Sequence, residues 1–208
     1  MISTIVGYDD NDYELGEYFE ESFNNIKKSL INNNGVNLIP IQGLDCTEEK
    51  LEETIDSFNG NNFVVIGLMH GNDEQIGTEN EVFVDADNID HLDGSLFYTP
   101  ACSTAIILGK SLEDVAETFV GCNEITLSTY EKYNDIYIDC ENYCIKEFLN
   151  SELNIETCFN NMINYFDEQI ELLSEENDEI LVAMELINNR DAFRLLGNRE
   201  LTKTDLVN

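Results

Sequence analysis

Residues 63–71, FVVIGLMHG, and residues 95–102, SLFYTPAC, decide the fold of this chain. Each segment is an almost unbroken apolar run that ends in a chemically reactive residue, His70 in the first and Cys102 in the second. Strands buried on both faces of a parallel α/β sheet have this appearance, and such sheets place reactive groups just beyond the carboxyl ends of their strands. The two runs therefore predict neighbouring parallel strands with His70 and Cys102 at one edge of the sheet.

A cysteine and a histidine at such an edge form a candidate catalytic dyad. A thiol attacks as its thiolate, and a nearby imidazole or the start of a helix lowers the pKa of a thiol. Ser103-Thr104 have the pattern of a helix start, so the sequence predicts both effects at Cys102. The backbone N–H groups of Cys102 and Gly71 are the candidate oxyanion hole, because a glycine lets the chain approach a substrate carbonyl closely.

Each residue of the pair also has a purely structural interpretation. His70 alone is explained as a hydrogen-bonded residue at a strand end, and Cys102 alone as a small buried side chain. Their joint position at the ends of two strands favours the dyad. His91 follows no apolar run and is interpreted as a surface residue, and Cys122 as a core residue.

The order of these motifs resembles a known family. A strand followed by His70-Gly71, and then a strand followed by Ala101-Cys102, is similar to the caspase-like cysteine peptidases of clan CD: caspases, gingipains, separases and bacterial CHAT proteins. The glutamine before the Ala-Cys pair and the glycine-containing tail of true caspases are absent. Residues 118–123, TFVGCN, resemble the strand after the cysteine helix, and residues 193–198, FRLLGN, resemble the closing segment of gingipain-like and CHAT domains.

This resemblance implies a fold and an activity. The fold is an α/β caspase-like three-layer arrangement, with a mainly parallel central sheet flanked by helices. The implied activity is that of a cysteine endopeptidase with a protein or peptide substrate and an activating or regulatory protein partner. The chain has no linker rich in proline, glycine or serine, so we expect a single peptidase domain over residues 1–208, helix-rich from about residue 139.

The rest of the chain has the alternation expected around such a sheet. Apolar periodicity predicts strands and helices in turn before His70, which indicates parallel strands joined by crossovers. Pro40 suggests that the second strand lies at or near an edge, because proline cannot donate to a ladder. The predicted strands are 2–8, 36–41, 63–69, 82–84, 95–101 and 119–121, and the predicted helices are 14–31, 47–58, 104–108, a restart at 111, and most of 139–189.

The composition limits the partners. The chain has 208 residues, 42% of them hydrophobic, and a formal net charge of -33. A field of this sign repels nucleic acid and anionic membrane surfaces, so we expect neither as a partner, whereas basic peptides are attracted. We rank a contribution to solubility alone above substrate selection as the explanation of the acidity.

The cysteines and the N-terminus indicate a reducing compartment. The first residues have no basic segment or cleavage pattern, and no apolar run is long enough to span a membrane, so we expect a cytoplasmic protein. Six cysteines in such a chain do not imply disulfides. Neither a Cys-x-x-Cys pair nor a cluster with ligand spacing occurs, so we expect no metal and no cofactor.

Substrate preference in this family is commonly set by the residue before the cleaved bond, and acidic pocket residues select lysine or arginine there. Asp9 and Asp10 end the first predicted strand, on the same edge as the dyad, and Glu124 ends the fifth parallel strand, residues 119–121. We rank Asp10 and Asp9 above Glu124 as substrate-binding residues. Ordinary solvation of an acidic chain explains all three as well.

Three functions remain open on the sequence. The first is a regulated cysteine endopeptidase that cleaves one or a few protein targets, with lysine or arginine preferred before the cleaved bond over aspartate. The second is a catalytically silent caspase-like module that binds a protein partner, against which the intact Cys102 and His70 count. The third, acyl or redox chemistry at a cysteine, gives no role to His70-Gly71.

Overall fold

The two apolar runs form adjacent strands in the middle of a six-stranded sheet. The computed structural model describes residues 1–58, 60, 62–175 and 179–207. The large sheet consists of β1 (Ile2–Tyr8), β2 (Val36–Gln42), β3 (Phe63–Leu68), β7 (Leu96–Tyr98), β8 (Thr118–Cys122) and β9 (Phe193–Gly197), and a small sheet of β4 (His70–Gly71), β5 (Ile76–Gly77) and β6 (Val82–Val84). The order in the large sheet is β2-β1-β3-β7-β8-β9. All neighbouring strands of the large sheet are parallel except β8 and β9, so the mainly parallel sheet predicted from the sequence is confirmed.

Helices cover both faces of the large sheet. The described residues contain α1 (Gly16–Ser29), α2 (Glu48–Asp56), α3 (Leu108–Leu112), α4 (Asn134–Asn150), α5 (Ile155–Ser174) and α6 (Ile180–Ala192). Side chains of α1, α4, α5 and α6 form one core with one face of the sheet. Side chains of α2, α3 and the small sheet form a second core with the other face. The result is the α/β three-layer arrangement that was predicted.

Alternate residues of the central strands serve the two cores. Val64 and Ile66 of β3 lie in the core under α4 to α6, whereas Val65 lies in the core under α2 and α3. In β7, Tyr98 lies in the first of these cores and Phe97 in the second. Because both faces are buried, these strands contain no polar alternation, which explains the continuous apolar runs.

The strand register aligns the carboxyl ends that position the site. Val64 pairs with Leu96 and Ile66 with Tyr98, so β3 and β7 end at the same edge. β2, which contains Pro40, is the outermost strand on one side, as predicted. The first residues after β1, β3, β7 and β8 therefore lie along one edge of the sheet.

Residues 70–84, in the segment between the strands that precede His70 and Cys102, form the small antiparallel sheet. Only its third strand, residues 82–84, was predicted. Ile76 of β5 is fully buried, and a Cβ added to Gly67 of β3 would lie 2.6 Å from Ile76 Cδ1. This contact fixes the small sheet against β3, directly beside His70.

The helix predicted at residues 104–108 is wrong, because α3 begins only at Leu108 and ends at Leu112. The backbone N–H groups after Cys102 bond elsewhere: Ser103 donates to Glu124 O, Ala105 to Cys122 O, and Leu108 to Asp73 O. These acceptors belong to other segments of the chain, so the backbone follows a turn instead of a helix. The helix restart at residue 111 is also wrong, and Cys102 does not lie at a helix N-terminus.

The C-terminal third is helical from Asn134, five residues before the predicted start. The antiparallel strand β9 follows α6 and pairs with β8, a feature the sequence analysis did not predict. None of the helices in the described ranges is long and apolar enough to cross a bilayer.

Candidate active site

His70 is the first residue of β4, two residues beyond Leu68, the last residue of β3. Its side chain is half exposed, and its Nε2 lies 3.1 Å from Asp12 Oδ2. The imidazole ring packs nearly perpendicular to the ring of Phe19 of α1, with the ring centroids 5.6 Å apart. A carboxylate and an aromatic ring thus hold one nitrogen and one side of the imidazole.

Asp12 was missed by the sequence analysis. It lies in the turn after β1, where its Oδ1 accepts hydrogen bonds from the N–H groups of Leu15 and Glu14 at 2.6 and 2.9 Å. Burial alone raises the pKa of the Asp12 carboxyl, but these two N–H groups and His70 lower it below its ordinary value. Asp12 is therefore an ionised, fixed acceptor for His70. The sequence signal was weak, because three of the four residues from 9 to 12 are aspartates.

Cys102 is the only one of the six cysteines that is not buried, and all six are free thiols. Its Sγ lies 3.6 Å from Thr126 Oγ1 and 3.9 Å from Thr126 O. Among the described residues, no acceptor bonds the backbone N–H of Cys102. That N–H remains free to bind an incoming carbonyl oxygen.

The backbone on both sides of the thiol is tightly constrained. A Cβ added to Gly71 would lie 2.7 Å from Thr104 Cγ2, 2.9 Å from Ala101 Cβ and 3.0 Å from Cys102 O, so only glycine fits. Ser103 has φ of 60°, the left-handed region that non-glycine residues rarely occupy. The main chain of Gly71 therefore lies directly against the Cys102 loop.

Cys102 and His70 line one pocket at the carboxyl edge of the sheet. Its other walls are mostly apolar and come from the start of α1, the end of β3, and the segments after β7 and β8: Leu15, Tyr18, Phe19, Ser22, Leu68, Met69, Pro100, Ala101, Thr126, Leu127 and Ser128. No hydrogen bond joins Cys102 Sγ to the His70 ring, since the sulfur faces Thr126. The sequence-predicted pair thus shares a pocket without direct contact.

The same pocket is lined by Glu141 of α4, a second residue that the sequence analysis missed. Its side chain is nearly fully buried, and it accepts hydrogen bonds from the Tyr18 hydroxyl and the Asn189 amide. Burial raises the pKa of this carboxyl to about 7, although both hydrogen bonds lower it. In the sequence, Glu141 was indistinguishable from the other acidic residues of a long helical stretch.

The predicted substrate-binding acids lie outside this pocket. Asp9 is buried in a neighbouring cleft, where its Oδ1 accepts from the N–H of Asn11. Asp10 is partly exposed and lies close to Gly43, and Glu124 is exposed beside Ser103. A role of these three acids in substrate binding stays a prediction.

The remaining candidates of the sequence lie elsewhere. His91 is half exposed and pairs with Glu52 of α2 at 3.2 Å. Cys122 is fully buried, and burial raises the pKa of its thiol well above the ordinary value. Within the described residues, no group of three or more histidine, cysteine and acidic side chains is arranged to hold a metal ion.

No protein-family model matches the sequence, and neither does any curated protein. Among the solved structures that are similar to the chain are three of C11 cysteine proteases. An inactive zymogen from Parabacteroides distasonis shares 15% identity at a TM-score of 0.42, over 67% of this chain and 53% of that chain. A secreted protease from Bacteroides thetaiotaomicron, in complex with an irreversible peptide inhibitor, shares 13% at 0.43, over 70% of this chain and 58% of that chain.

The third, a secreted protease from Bacteroides thetaiotaomicron named iotapain, shares 10% identity at a TM-score of 0.49, over 94% of this chain and 87% of that chain. C11 proteases are caspase-like and belong to clan CD, the group that the sequence motifs resemble. The closer resemblance to CHAT and gingipain-like domains stays a prediction. At these identities and TM-scores, the likeness assigns no activity to this chain.

Proposed function

We propose that the protein is a cysteine endopeptidase in which Cys102 is the nucleophile and His70 the general acid and base. The observation that carries the proposal is the shared pocket. A partly exposed thiol and an imidazole bound to an ionised carboxylate both line this pocket, at the carboxyl edge of a parallel sheet. Parallel sheets place ligand sites at this edge, and the two side chains are the components of nucleophilic acyl transfer.

The proposed reaction has two halves. The Cys102 thiolate attacks the carbonyl carbon of a peptide bond, and the oxyanion that forms accepts hydrogen bonds from the N–H groups of Cys102 and Gly71. The intermediate collapses, the C–N bond breaks, and the leaving amine takes a proton from the His70 imidazolium. A thioester remains on Cys102. Neutral His70 then takes a proton from water, whose oxygen attacks the thioester. The C–S bond breaks and the carboxylic acid leaves, which restores the Cys102 thiolate and the His70 imidazolium with which the reaction began.

Asp12 is proposed as the residue that positions His70. Its Oδ2 accepts from Nε2–H, which leaves Nδ1 as the nitrogen that exchanges protons in the pocket. An ionised Asp12 also stabilises the imidazolium form that donates to the leaving amine. The apo pocket lacks a hydrogen bond between sulfur and imidazole, but such contacts often tighten only when substrate binds.

The segment after β8 supports the proposal of a regulated enzyme. Thr126 contacts the thiol, and α6 holds the residues that follow Thr126. The Asn189 amide pairs with the N–H and the carbonyl of Leu127, and Glu185 accepts from Thr129. A protein partner that shifts this segment would expose Cys102. We therefore propose specific protein targets and an activating partner, in the reducing environment of the cytoplasm, where six free thiols persist.

We also propose cleavage after lysine or arginine. The pocket that holds Cys102 contains one acidic side chain among its described lining residues, Glu141, and otherwise mostly apolar walls. A long cationic side chain suits such walls, because its methylene groups pack against apolar surface while the charge meets a carboxylate.

A second candidate is a catalytically silent module that binds a protein partner. The contacts of Thr126 with Cys102 Sγ favour it, since the described hydrogen-bond partners of the thiol belong to Thr126 and none to His70. A binding module needs neither residue to react.

A cleavage assay separates the two candidates. Wild type and Cys102→Ala are incubated with a library of peptides, and products are identified by mass spectrometry. The peptidase proposal predicts cleavage by wild type and none by the variant. Equal product yields from wild type and Cys102→Ala would reject it. A Thr126→Gly variant, which removes the side chain against the thiol, is assayed alongside, and no cleavage by either wild type or Thr126→Gly, with an unchanged fold by circular dichroism, would also reject it.

A further inference from the structure

Helix α6 is apolar on both of its sides. Its inner residues, such as Leu186, are buried in the core under the large sheet. On the opposite side, three large apolar side chains are each more than half exposed: Ile180, Leu181 and Met184. They are three and four residues apart and so share one side of the helix, which we call the outer face of α6. In α1, by contrast, every exposed residue is polar or charged. Apolar residues all round a helix are typical of a helix that is covered on all sides.

A cleft joins the outer face of α6 to the segment that contacts the thiol. It is lined by Asn188, four residues beyond Met184, and by residues from two loops: Ser103, Glu124, Ile125 and Leu127. Ile125, whose apolar side chain is more than half exposed, directly precedes Thr126 in the chain. The exposed apolar surface therefore continues from α6 to the residue beside the one that contacts Cys102 Sγ.

Negative charge without a cation borders this surface. Glu185, four residues after Leu181, and Glu124, in the cleft, take part in none of the ion pairs of the described residues. The described donors to Glu185 are a backbone N–H and hydroxyl groups, all neutral. Arg190, the only basic residue of α6, already pairs with two aspartates. With a net charge of -33, a second copy of the chain is repelled, whereas a basic segment is attracted.

We propose that the outer face of α6 and the exposed Ile125 form the docking surface of an activating protein partner, and that the partner binds there through an amphipathic helix with basic borders. The apolar side of that helix covers Leu181 and Met184, and its lysine or arginine side chains meet Glu185 and Glu124. Amphipathic helices bind apolar surfaces in this way, and methionine adapts its shape to them. The inference rests on the proposed peptidase function and gives its activating partner a surface and a chemistry.

The route from the docking surface to the thiol is short. From the inner side of α6, the Asn189 amide bonds the N–H and the carbonyl of Leu127, at 2.8 and 2.7 Å. Thr126, the residue before Leu127, contacts Cys102 Sγ. A ligand shifts an equilibrium between two conformations only if it binds one of them better. A partner that buries Ile125 has this differential affinity, because Ile125 becomes buried when its segment turns towards the partner, and that movement draws Thr126 away from the sulfur.

The probe for this surface is a synthetic peptide of leucine and lysine, about twenty residues long, with leucines at helical spacing. A second peptide has the same composition in scrambled order, so it keeps the charge and loses the apolar side. Binding is measured by calorimetry on Cys102→Ala, which has no nucleophile to cleave the peptides. The scrambled peptide should bind at least about tenfold more weakly. Equal affinities would overturn the proposal, because attraction by charge alone then explains the binding.

A double variant locates the binding on α6. Leu181→Ser with Met184→Ser removes apolar surface and leaves the net charge unchanged, so non-specific attraction of a basic peptide stays the same. We expect the Kd of the amphipathic peptide to rise at least about tenfold. Ile31→Ser is the matched control, because Ile31 is an exposed apolar residue that lines a different cleft, and it should change the Kd less than about twofold. An unchanged Kd in the double variant, or an equal rise in Ile31→Ser, would overturn the assignment.

The reactivity of the thiol tests whether docking exposes it. With saturating amphipathic peptide, the rate at which iodoacetamide alkylates Cys102 should rise at least about fivefold in wild type and stay unchanged in the double variant. An unchanged or lower rate in wild type overturns the activating role. Sedimentation velocity of wild type adds a check on the occupant. A dimer that the double variant dissociates would make the occupant a second copy and overturn the proposal of a basic partner.

The docking surface and the peptidase function fail separately in these experiments. If the peptide binds the outer face of α6 and raises the alkylation rate, but no substrate is cleaved with or without it, the docking surface stands and the peptidase function fails. If wild type cleaves peptides while the double variant binds the amphipathic peptide as tightly as wild type does, the peptidase function stands and the docking surface is overturned.

Discussion

The protein contains two histidine-carboxylate pairs that look alike locally and differ in their surroundings. His70 lies 3.1 Å from Asp12 and His91 lies 3.2 Å from Glu52, and both imidazoles are about half exposed. His70 follows a strand buried on both faces and shares a pocket with a thiol. His91 lies in a short 3-10 helix, Ile89–Leu92, and pairs with an acid on the outer helix α2. A histidine-carboxylate pair therefore does not by itself mark a candidate site. His70 is distinguished by the buried strand that precedes it and by the thiol in its pocket.

The largest expected effect comes from removing each imidazole. His70→Ala should lower kcat/KM for peptide cleavage by about 10²- to 10⁴-fold, because the leaving amine loses its proton donor. His91→Ala removes an imidazole of similar exposure and should leave kcat/KM within about twofold. Steady-state assays on the two purified variants make the comparison, and equal losses in both would remove His70 from the dyad.

Neutralising the two carboxylates sharpens the same comparison. Asp12→Asn should lower kcat/KM about 10- to 100-fold, because the hydrogen bond to a charged group that orients His70 is lost. Glu52→Gln should have no measurable effect on cleavage. A pH profile of kcat/KM accompanies the assays. If Asp12→Asn has the activity and profile of wild type, Asp12 does not position the imidazole.

Substitution of the residue after each histidine should lower the unfolding free energy in both cases, but it should lower activity per folded molecule only after His70. Gly71→Ala forces a Cβ against Thr104 and Ala101, which should cost about 1–3 kcal/mol of unfolding free energy and also lower activity per folded molecule. Leu92→Ala empties a fully buried position and should cost about 2–5 kcal/mol, with activity per folded molecule retained. Denaturant titration and active-site counting separate the two quantities. Full activity in folded Gly71→Ala would contradict its place in the oxyanion hole.

The smallest effect is expected where the backbone adopts a positive φ in each region. Ser103, beside Cys102, has φ of 60°, whereas Gly94, near His91, has φ of 71°. Ser103→Gly should raise the unfolding free energy by about 0.5–1 kcal/mol, because relief of the left-handed strain exceeds the entropy cost of glycine. Gly94→Ser should lower it by about 1–2 kcal/mol. Destabilisation by Ser103→Gly would show that the serine side chain contributes more than the backbone strain costs.

Burial patterns explain what the sequence predicts well. The runs at 63–69 and 95–101 are apolar because two cores require it, so the adjacent parallel strands and the residues at their ends could be predicted. The edge position of the strand with Pro40 could be predicted because proline has no backbone N–H to donate to a neighbouring strand. These features depend on local composition, which is written directly in the sequence.

Features that depend on distant partners were missed. The turn after Cys102 exists because Glu124, Cys122 and Asp73 supply carbonyl acceptors from other segments, and local helix patterns contain no trace of them. Asp12 and Glu141 are two of 43 acidic residues, and only the fold shows which ones face an imidazole or a pocket. The strand β9 pairs with β8 across a gap of about seventy residues, which is the kind of contact that local propensity does not encode.

The central claim is that Cys102 and His70 act as one nucleophilic unit. Its most direct test is the alkylation rate of each thiol in native protein near neutral pH, followed by mass spectrometry after brief exposure to iodoacetamide. The other five thiols are buried, and burial raises the pKa of Cys46 and Cys158 to about 12. We predict that Cys102 reacts first, that His70→Ala slows its reaction, and that His91→Ala does not. Equal rates at all six thiols, or an unchanged Cys102 rate in His70→Ala, would contradict the claim.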